Sequence, residues 1–453
     1  MARMGPNRAT SEGMAGGLSG WGRTYVPGRE LRSEDLAGAA ERAHLSRGLG
    51  RSYGDASLPA PGDSTVLGTC LADRLLAFDA ETGLLRAEAG LCLAELNRLF
   101  LPRGWFTPVT PGTKFVTLGG MVASDVHGKN HHVAGTFGKH VRSLRIRVGD
   151  GRVVDCSRQV EPELFLATLG GMGLTGHVLE VEVQLERIPS PWILQQRERL
   201  PNLDAFLTRL REAGREWPYT VGWVDTLATG KAFGRGILYA GRWAEPSEAP
   251  ASVPPARPNL RMPIALPSGV LNTLTIRMFN SLLYRKTSAR TKVSIVDPQQ
   301  LFYPLDRVLD WNRMYGSRGV AQHQAVIPNE AGADGIRALM DTVREAGSGS
   351  FLTVVKDCGE EGEGMLSFPR PGMSIAFDLP IRDNTQDIID RLNERVIEAG
   401  GRVYLTKDGH TRPEHFRAME DGRLDAFLSV KRKWDPEGRL RSAQSARLFG
   451  DDT

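Results

Sequence analysis

ELFLATLGGMGLTGHVLEVEVQLERI, residues 163–188, carries at 171–176 the string GMGLTG, a match on paper to the G-x-G-x-x-G fingerprint of parallel dinucleotide-binding folds. That fingerprint needs a strand before it and a helix after it, because the pyrophosphate rests on the N-terminus of the helix. Here the order is reversed: ELFLATL (163–169) has helical spacing, whereas HVLEVEVQLERI (177–188) alternates as a strand. The Rossmann reading is therefore rejected, although this bare backbone remains a candidate for touching a ligand. No G-x-x-x-x-G-K-[ST] occurs, which excludes a P-loop.

Outward from this stretch the chain is rich in hairpins. LLAFDAETGLLRAEAGL (75–91) reads as two alternating runs around Glu81-Thr82-Gly83, and VRSLRIRVGDGRVVDCS (141–157) as two more around Gly149-Asp150-Gly151. LAELNRLFLPRG (93–104) has Leu93, Leu96, Leu99 and Phe100 at helical spacing and Gly104 past its end. SEDLAGAAERA (33–43) reads as a helix capped by Ser33. Helices mixed with hairpins in this order predict an α+β fold.

The 453 residues call for two domains, one of them discontinuous. The break falls at Ile188-Pro189-Ser190-Pro191, giving a first domain over 1–188, a second over 189–401 and a C-terminal segment, 402–453, that returns to the first. Within the second, residues 245–267 are proline-rich and read as an extended, mobile loop. Residues 269–292 combine Leu271, Leu274, Met278, Phe279, Leu282 and Leu283 with Arg277, Arg285, Lys286, Arg290 and Lys292. That is the makeup of an interfacial amphipathic helix, or of a core helix with a basic end. KRKWDPEGRLRSAQ (431–444) holds a D-P-E-G turn.

A formal charge of +4 without a long Lys/Arg block argues against a nucleic-acid partner and favours small anions or a membrane surface. Cys70, Cys92, Cys156 and Cys358 form no C-x-x-C pair, against both a zinc site and a disulfide framework and in favour of a reduced intracellular chain. Residues 1–20 contain no apolar run of signal-peptide type, and no window reaches the length of a spanning helix.

Chemistry concentrates in RGLGRSYGD (47–55) and in TPGTKFVTLGGMVASDVHGKNHH (110–132). A glycine-rich turn converges its amides on phosphate oxygens, and arginine adds charge-assisted bonds. His127 and His131 are four apart, but Lys129 lies between them and no H-E-x-x-H exists, so no metal is expected. His127 and Lys129 suit an anion or cofactor pocket, while His131 and His132 read equally well as histidines satisfied in a polar turn. Three bare loops, 47–55, 110–132 and 170–176, imply one long ligand.

These motifs, with SGWGR (19–23), SFPRPGMSIAFDLPI (367–381), YLTKDGHT (404–411) and KRKWDP (431–436), resemble the vanillyl-alcohol-oxidase-type flavoproteins. Within them, the chain is similar over nearly its whole length to the decaprenylphosphoryl-β-D-ribose 2′-oxidases. The resemblance implies a two-subdomain PCMH-type FAD-binding fold with an inserted α+β substrate domain, an antiparallel sheet flanked by helices. It implies that Arg47, Gly48, Leu49, Gly50, Arg51, Ser52, Tyr53, Gly54 and Asp55 cradle the pyrophosphate. Gly112, Thr117, Leu118, Gly119, Gly120, Ser124, Asp125, Val126 and His127 would line FAD from the other side, with Gly173, Val178 and Tyr404. Tyr53 stands where many relatives carry a flavin-linking histidine, so non-covalent FAD is implied.

The same resemblance makes Lys407 the essential lysine, either a base or a cation at the flavin ring, with Tyr53, His127 and Tyr404 completing the catalytic set. Lys129, Gln322, Gln324, Lys356, Ala376 and Lys407 would meet substrate. Ala376 replaces a cysteine of the mycobacterial members, which removes a thiol from the pocket. The implied reaction is oxidation of the 2′-hydroxyl of a polyprenylphosphoryl ribose, with an NAD-dependent keto-sugar reductase as partner, peripheral membrane contact, and a cytoplasmic or cell-envelope location. A soluble alditol or aldonolactone oxidase is the alternative within the superfamily, and a non-redox phospholigand-binding protein the alternative outside it.

Overall fold

The computed structural model describes residues 17–450 apart from 268 and 421; the start of the chain, where no signal-like run is read, lies outside the described residues up to residue 16. The two hairpins and the strand after GMGLTG join in one antiparallel sheet, in the order Val153–Ser157, Val141–Arg147, His177–Gln184, Leu84–Glu88, Leu75–Phe78. Alternation decides its faces. Leu85, Ala87, Leu144, Ile146, Val181 and Val183 are buried in one core, while Arg86 and Glu180 pair at 2.6 Å on the other face. Helix Leu93–Phe100 adds Leu93, Leu96 and Phe100 to that core, and Gly104 ends its final turn in the left-handed conformation.

A smaller parallel sheet, Arg29–Arg32, Thr65–Gly68 and Ser46–Arg47, delivers the chain from its last strand directly into RGLGRSYGD. The helix before it is shorter than expected, Leu36–Ala39, and its cap is Asp35, whose carboxylate accepts from Gly38 N–H at 3.0 Å. Ser33 stands two residues too early to cap and instead accepts from the N–H of Asp35.

The inserted region is built on an eight-stranded sheet: Lys292–Val296, Ile193–Leu200, Gly236–Trp243, Tyr219–Val224, Thr353–Cys358, Gly372–Pro380, Val320–Pro328, Arg402–Val403. Every pairing in it is antiparallel. Helices Leu203–Glu216, Gly332–Glu345 and Thr385–Glu398 contribute to the core behind it, with Phe206, Leu210, Leu339, Val343, Leu392 and Val396 against Val355, Ile375, Phe377 and Ile327. The alternate residues, among them Gln322, Gln324, Lys356 and Ala376, line the opposite side. Arg402–Val403 closes this sheet, so the chain leaves the inserted region just after Val403 rather than before residue 402. Helices Pro413–Glu420, Arg423–Trp434 and Ala443–Phe449 then bury Phe416, Phe427 and Leu448 in the core of the first sheet.

Residues 245–267 are mostly irregular, with Leu260–Arg261 paired in parallel to Val308–Leu309. Helix Thr273–Lys286 follows, started by an Asn272 capping box with Thr275. It is not a core helix. Ile276 and Asn280 face inward, Asn280 donating to Asp225 at 2.8 Å, while Leu274, Met278 and Leu282 are 66%, 65% and 67% exposed.

Candidate active site

A cavity of about 2840 Å³ is lined by the glycine loops and by the front of the eight-stranded sheet. That is well beyond the roughly 300–1,000 Å³ of an ordinary small-ligand pocket. It takes in Glu30, Arg32 and Cys70 beside the small parallel sheet, Arg47–Tyr53, Lys356 and Lys407, and Phe279 and Leu283 of the exposed helix.

The first loop divides into two functions. Its early amides, from Gly48 to Ser52, donate to no acceptor among the described residues, and Gly50 sits at φ +60°, a conformation that costs glycine least. This is the geometry of an anion nest. Arg51 faces the cavity with its guanidinium 4.4 Å over the Trp21 ring. Arg47, by contrast, spends its guanidinium on the loop itself, donating to Ser57 O and Ser19 O at 3.1 and 2.7 Å and lying 4.0 Å from Glu30. It rigidifies the cradle rather than reaching into it.

The later residues of the loop are a fastening. Tyr53 N–H donates to Thr406 O at 2.9 Å. Gly54 packs so closely that a Cβ would lie 1.8 Å from Asp408 O. Asp55 accepts from Arg447 at 2.8 and 2.9 Å, and Arg447 also reaches Asp408 at 2.9 Å. Gly54 and Asp55 thus lie outside the cavity lining and hold the segment that carries Lys407.

The second loop is sorted the same way. Gly112, Thr117, Gly120, Ser124, Val126, His127 and Lys129 line the cavity. Leu118 and Gly119 do not: their amides are consumed by Leu91 O and Ala89 O at 3.0 and 2.8 Å. Asp125 is fully buried, accepting from Gly138 N–H at 2.8 Å and from Ser367 Oγ, and burial pushes its carboxyl up to about 6. Gly173 and Val178 are also set back from the lining. Met172 takes the place expected of Gly173, and the Val178 side chain belongs to the core.

At the sheet end of the cavity, cations and aromatics meet. Lys356 Nζ donates to His127 Nδ1 at 3.2 Å, and the Gln324 side-chain amide meets His127 Nε2 at 3.0 Å and Ser374 Oγ at 2.9 Å. Tyr404 lies edge-on to His127 with centroids 5.3 Å apart and donates its hydroxyl to Ser124 O at 3.0 Å. Lys407 Nζ stands 4.3 Å over the Tyr53 ring. Burial, reinforced by Lys356, His131, Lys407 and Lys129, drives the His127 imidazole far below its ordinary range, so it is neutral. Burial, with Lys356 nearby, pulls Lys129 down to about 7, and burial pulls Lys356 down to about 8. Lys129, Lys356 and Lys407 form no ion pair among the described residues.

His131 and His132 are structural: His131 Nδ1 accepts from Gly359 N–H at 3.1 Å, and His132 Nε2 meets Trp217 O at 3.1 Å. The carboxylate the motifs did not single out is Asp378, which lies directly across from Gln322 in the strand pairing and is fully buried. Its signal was present: it follows Ala376 by two residues, which places both on one face of the strand.

Residues 35–157 match the FAD binding domain family. Over 457 aligned positions the chain is 34% identical to the decaprenylphosphoryl-β-D-ribose oxidase of Mycolicibacterium smegmatis, covering 95% of this chain and 97% of that protein. The chain belongs to the decaprenylphosphoryl-β-D-ribose oxidase family. Like the other members it is an FAD-dependent oxidoreductase, and the non-redox alternative falls away. An uncharacterised protein of Streptomyces coelicolor is 34% identical over 79% of this chain and all of its own length. Likeness to the L-gulonolactone oxidase of Mus musculus is local, 28% identity over 30% of this chain and 32% of that protein. FAD suits the free amides of Gly48–Ser52, the Arg51 cation beside them and a cavity long enough to continue to Lys407.

Proposed function

We propose that this protein oxidises the 2′-hydroxyl of a polyprenylphosphoryl-β-D-ribose to the 2′-keto sugar. The observation that carries the anionic substrate is the cluster of Lys129, Lys356 and Lys407, three part-buried amines at one end of the cavity without a carboxylate in ion-pair contact among the described residues. Mutual repulsion of that kind is relieved by a ligand phosphate and by nothing in a neutral alditol or lactone. Bound FAD supplies the acceptor for the hydride that leaves the sugar carbon. Gly48–Ser52 and Arg51 would hold its pyrophosphate; Tyr404, Val126 and Gly120 would bound it from the opposite wall.

The protein's own groups then orient and polarise the sugar. Neutral His127 has both ring nitrogens engaged, Nδ1 by Lys356 and Nε2 by the Gln324 side-chain amide, which fixes the ring as an uncharged wall of the pocket and orients those two neighbours. Lys407, on the segment clamped by Gly54 and Arg447, faces the reacting end with its ammonium balanced against a buried carboxylate, suited to take up or steady the charge that develops when the hydroxyl proton leaves. Ala376 leaves space beside Gln324, its cross-strand neighbour. A keto sugar so formed needs a reductase to complete inversion at this carbon, and we assign that step to an NAD-dependent partner, giving the arabinose donor for cell-wall polysaccharide.

Contact with a lipid surface belongs to the same reading. From Ala249 to Val296 the chain has no acidic residue and seven basic ones, Arg257, Arg261, Arg277, Arg285, Lys286, Arg290 and Lys292. Its apolar stripe Leu274, Met278, Leu282 is exposed, on the helix whose Phe279 and Leu283 line the cavity. No helix of the described residues is long and apolar enough to cross a membrane. Anaerobic mixing of the purified protein with a polyprenylphosphoryl ribose tests the proposal: flavin absorbance is expected to bleach with this substrate and not with free ribitol or gulonolactone, and the reverse pattern would establish the alditol or lactone reading instead.

A further inference from the structure

The front of the sheet hides one charge beneath the reacting end. Asp378 has no exposed surface, and two donors close on its carboxylate, the Tyr315 hydroxyl at 2.9 Å on Oδ2 and Gln322 Nε2 on Oδ1, while its backbone N–H donates to Ser350 Oγ at 3.2 Å. Tyr53, whose ring lies 4.3 Å under Lys407 Nζ, lines the same cavity as Gln322. Tyr53 and Tyr315 pack in one cluster, so a chain of contacts runs from Lys407 through Tyr53 and Tyr315 to the Asp378 carboxylate. A buried carboxylate without purpose would be costly, because desolvation disfavours it.

We propose that Asp378 is a positioning residue of the oxidation: the buried counter-charge that sets the protonation state of Lys407 without touching the substrate. This rests on the reading of Lys407 as the cation or base at the reacting end. Asp378 and Lys407 make no direct ion pair among the described residues, so the carboxylate acts at a distance through the polar groups between them.

The other charges around Lys407 leave Asp378 as the one that can do this. Lys356, on the neighbouring strand Thr353–Cys358, opposes the Lys407 charge. His127 is neutral, and the phenols of Tyr53 and Tyr315 are pushed well above their ordinary range by burial, so neither supplies a negative charge. Asp408, adjacent in the chain, is held away in an ion pair with Arg447 at 2.9 Å, which it shares with Asp55, and is not among the charges acting on Lys407. Burial lowers the Lys407 ammonium and raises the Asp378 carboxyl, and each pulls the other back toward its charged form. Removing the carboxylate therefore leaves a part-buried lysine whose remaining charged neighbour in this pocket is Lys356.

The test is the titration of Lys407 in the oxidised holoenzyme, followed by the Cε resonance of isotope-labelled lysine and assigned with Lys407→Arg. In Asp378→Asn the Lys407 midpoint is expected at least about one pH unit lower than in the parent. In Tyr315→Phe, which removes a donor that favours the carboxylate, it moves in the same direction by less. The limb of the pH–rate profile for flavin reduction that follows Lys407 shifts with it. An unmoved Lys407 midpoint in folded Asp378→Asn overturns the proposal, and if that variant does not fold, an unmoved midpoint in Tyr315→Phe does so. A midpoint that shifts while the pH–rate limb stays in place upholds the electrostatic link and overturns the part of Lys407 in the reaction.

Discussion

Gly54 is a glycine for its neighbour rather than for its ligand. An added methyl would meet the Asp408 backbone at 1.8 Å, and backbone cannot move aside as a side-chain end can. Gly54→Ala is expected to cost about 3 kcal/mol or more in urea unfolding, as overpacking against backbone does, and to weaken FAD retention because the same loop forms the cradle. Unchanged unfolding with unchanged flavin content would show that the two segments are not docked as described. Tyr53, one residue earlier, supplies no imidazole for a flavin bond, and its side chain lies under Lys407. The flavin is accordingly expected in the supernatant after acid precipitation; flavin retained in the pellet would establish a covalent bond. Asp378 shows the limit of motif reading at this scale: the quoted segment contained it, but only the pairing with Gln322 turned it toward the site.

Among the elements, helix Thr273–Lys286 separates anchoring from display. Asn280 and Tyr284 fasten it, to Asp225 at 2.8 Å and Leu200 O at 3.2 Å, while Leu274, Met278 and Leu282 face outward at successive four-residue steps. The combined variant Leu274→Asn, Met278→Gln, Leu282→Asn should lower affinity for anionic phospholipid vesicles on the order of a hundredfold. Stability should stay within about 0.5 kcal/mol per site, as for exposed positions that bury nothing. Equal vesicle binding by parent and variant in a flotation assay would remove the membrane from the proposal. The pattern of 269–292 by itself favours a core helix with a basic end over an interfacial one, since a hydrophobic stripe does not say what it packs against and most such stripes pack inward. The fold decided it by turning the polar Asn280 inward.

For the whole molecule, the cavity is a charge device whose sign depends on pH. A lysine is cationic below its pKa, and Lys129 and Lys356 are pulled to about 7 and about 8. Rising pH therefore strips positive charge from the substrate end between those values. KM for a phosphorylated sugar is expected to rise several-fold from pH 6.5 to 8.5, roughly as lost charge-assisted bonds imply, whereas KM for a neutral polyol would stay flat. A flat profile for the phosphorylated substrate would show that the lysines do not meet its phosphate. The sequence by itself determined the α+β class, because period-two runs around tight turns permit hairpins and the order helix, GMGLTG, strand forbids a Rossmann unit. It also marked the nest, because bare amides and small residues serve close approach wherever they occur. Tertiary structure decided which half of RGLGRSYGD binds and which half clamps, committed the Arg47 guanidinium to Ser57 and Ser19, set Asp125 and Val178 behind the cavity wall, and seated Asp378 across from Gln322. Those outcomes depend on contacts between residues far apart in the chain, Gly54 with Asp408 and Gln322 with Asp378, and local pattern carries no record of partners that distant.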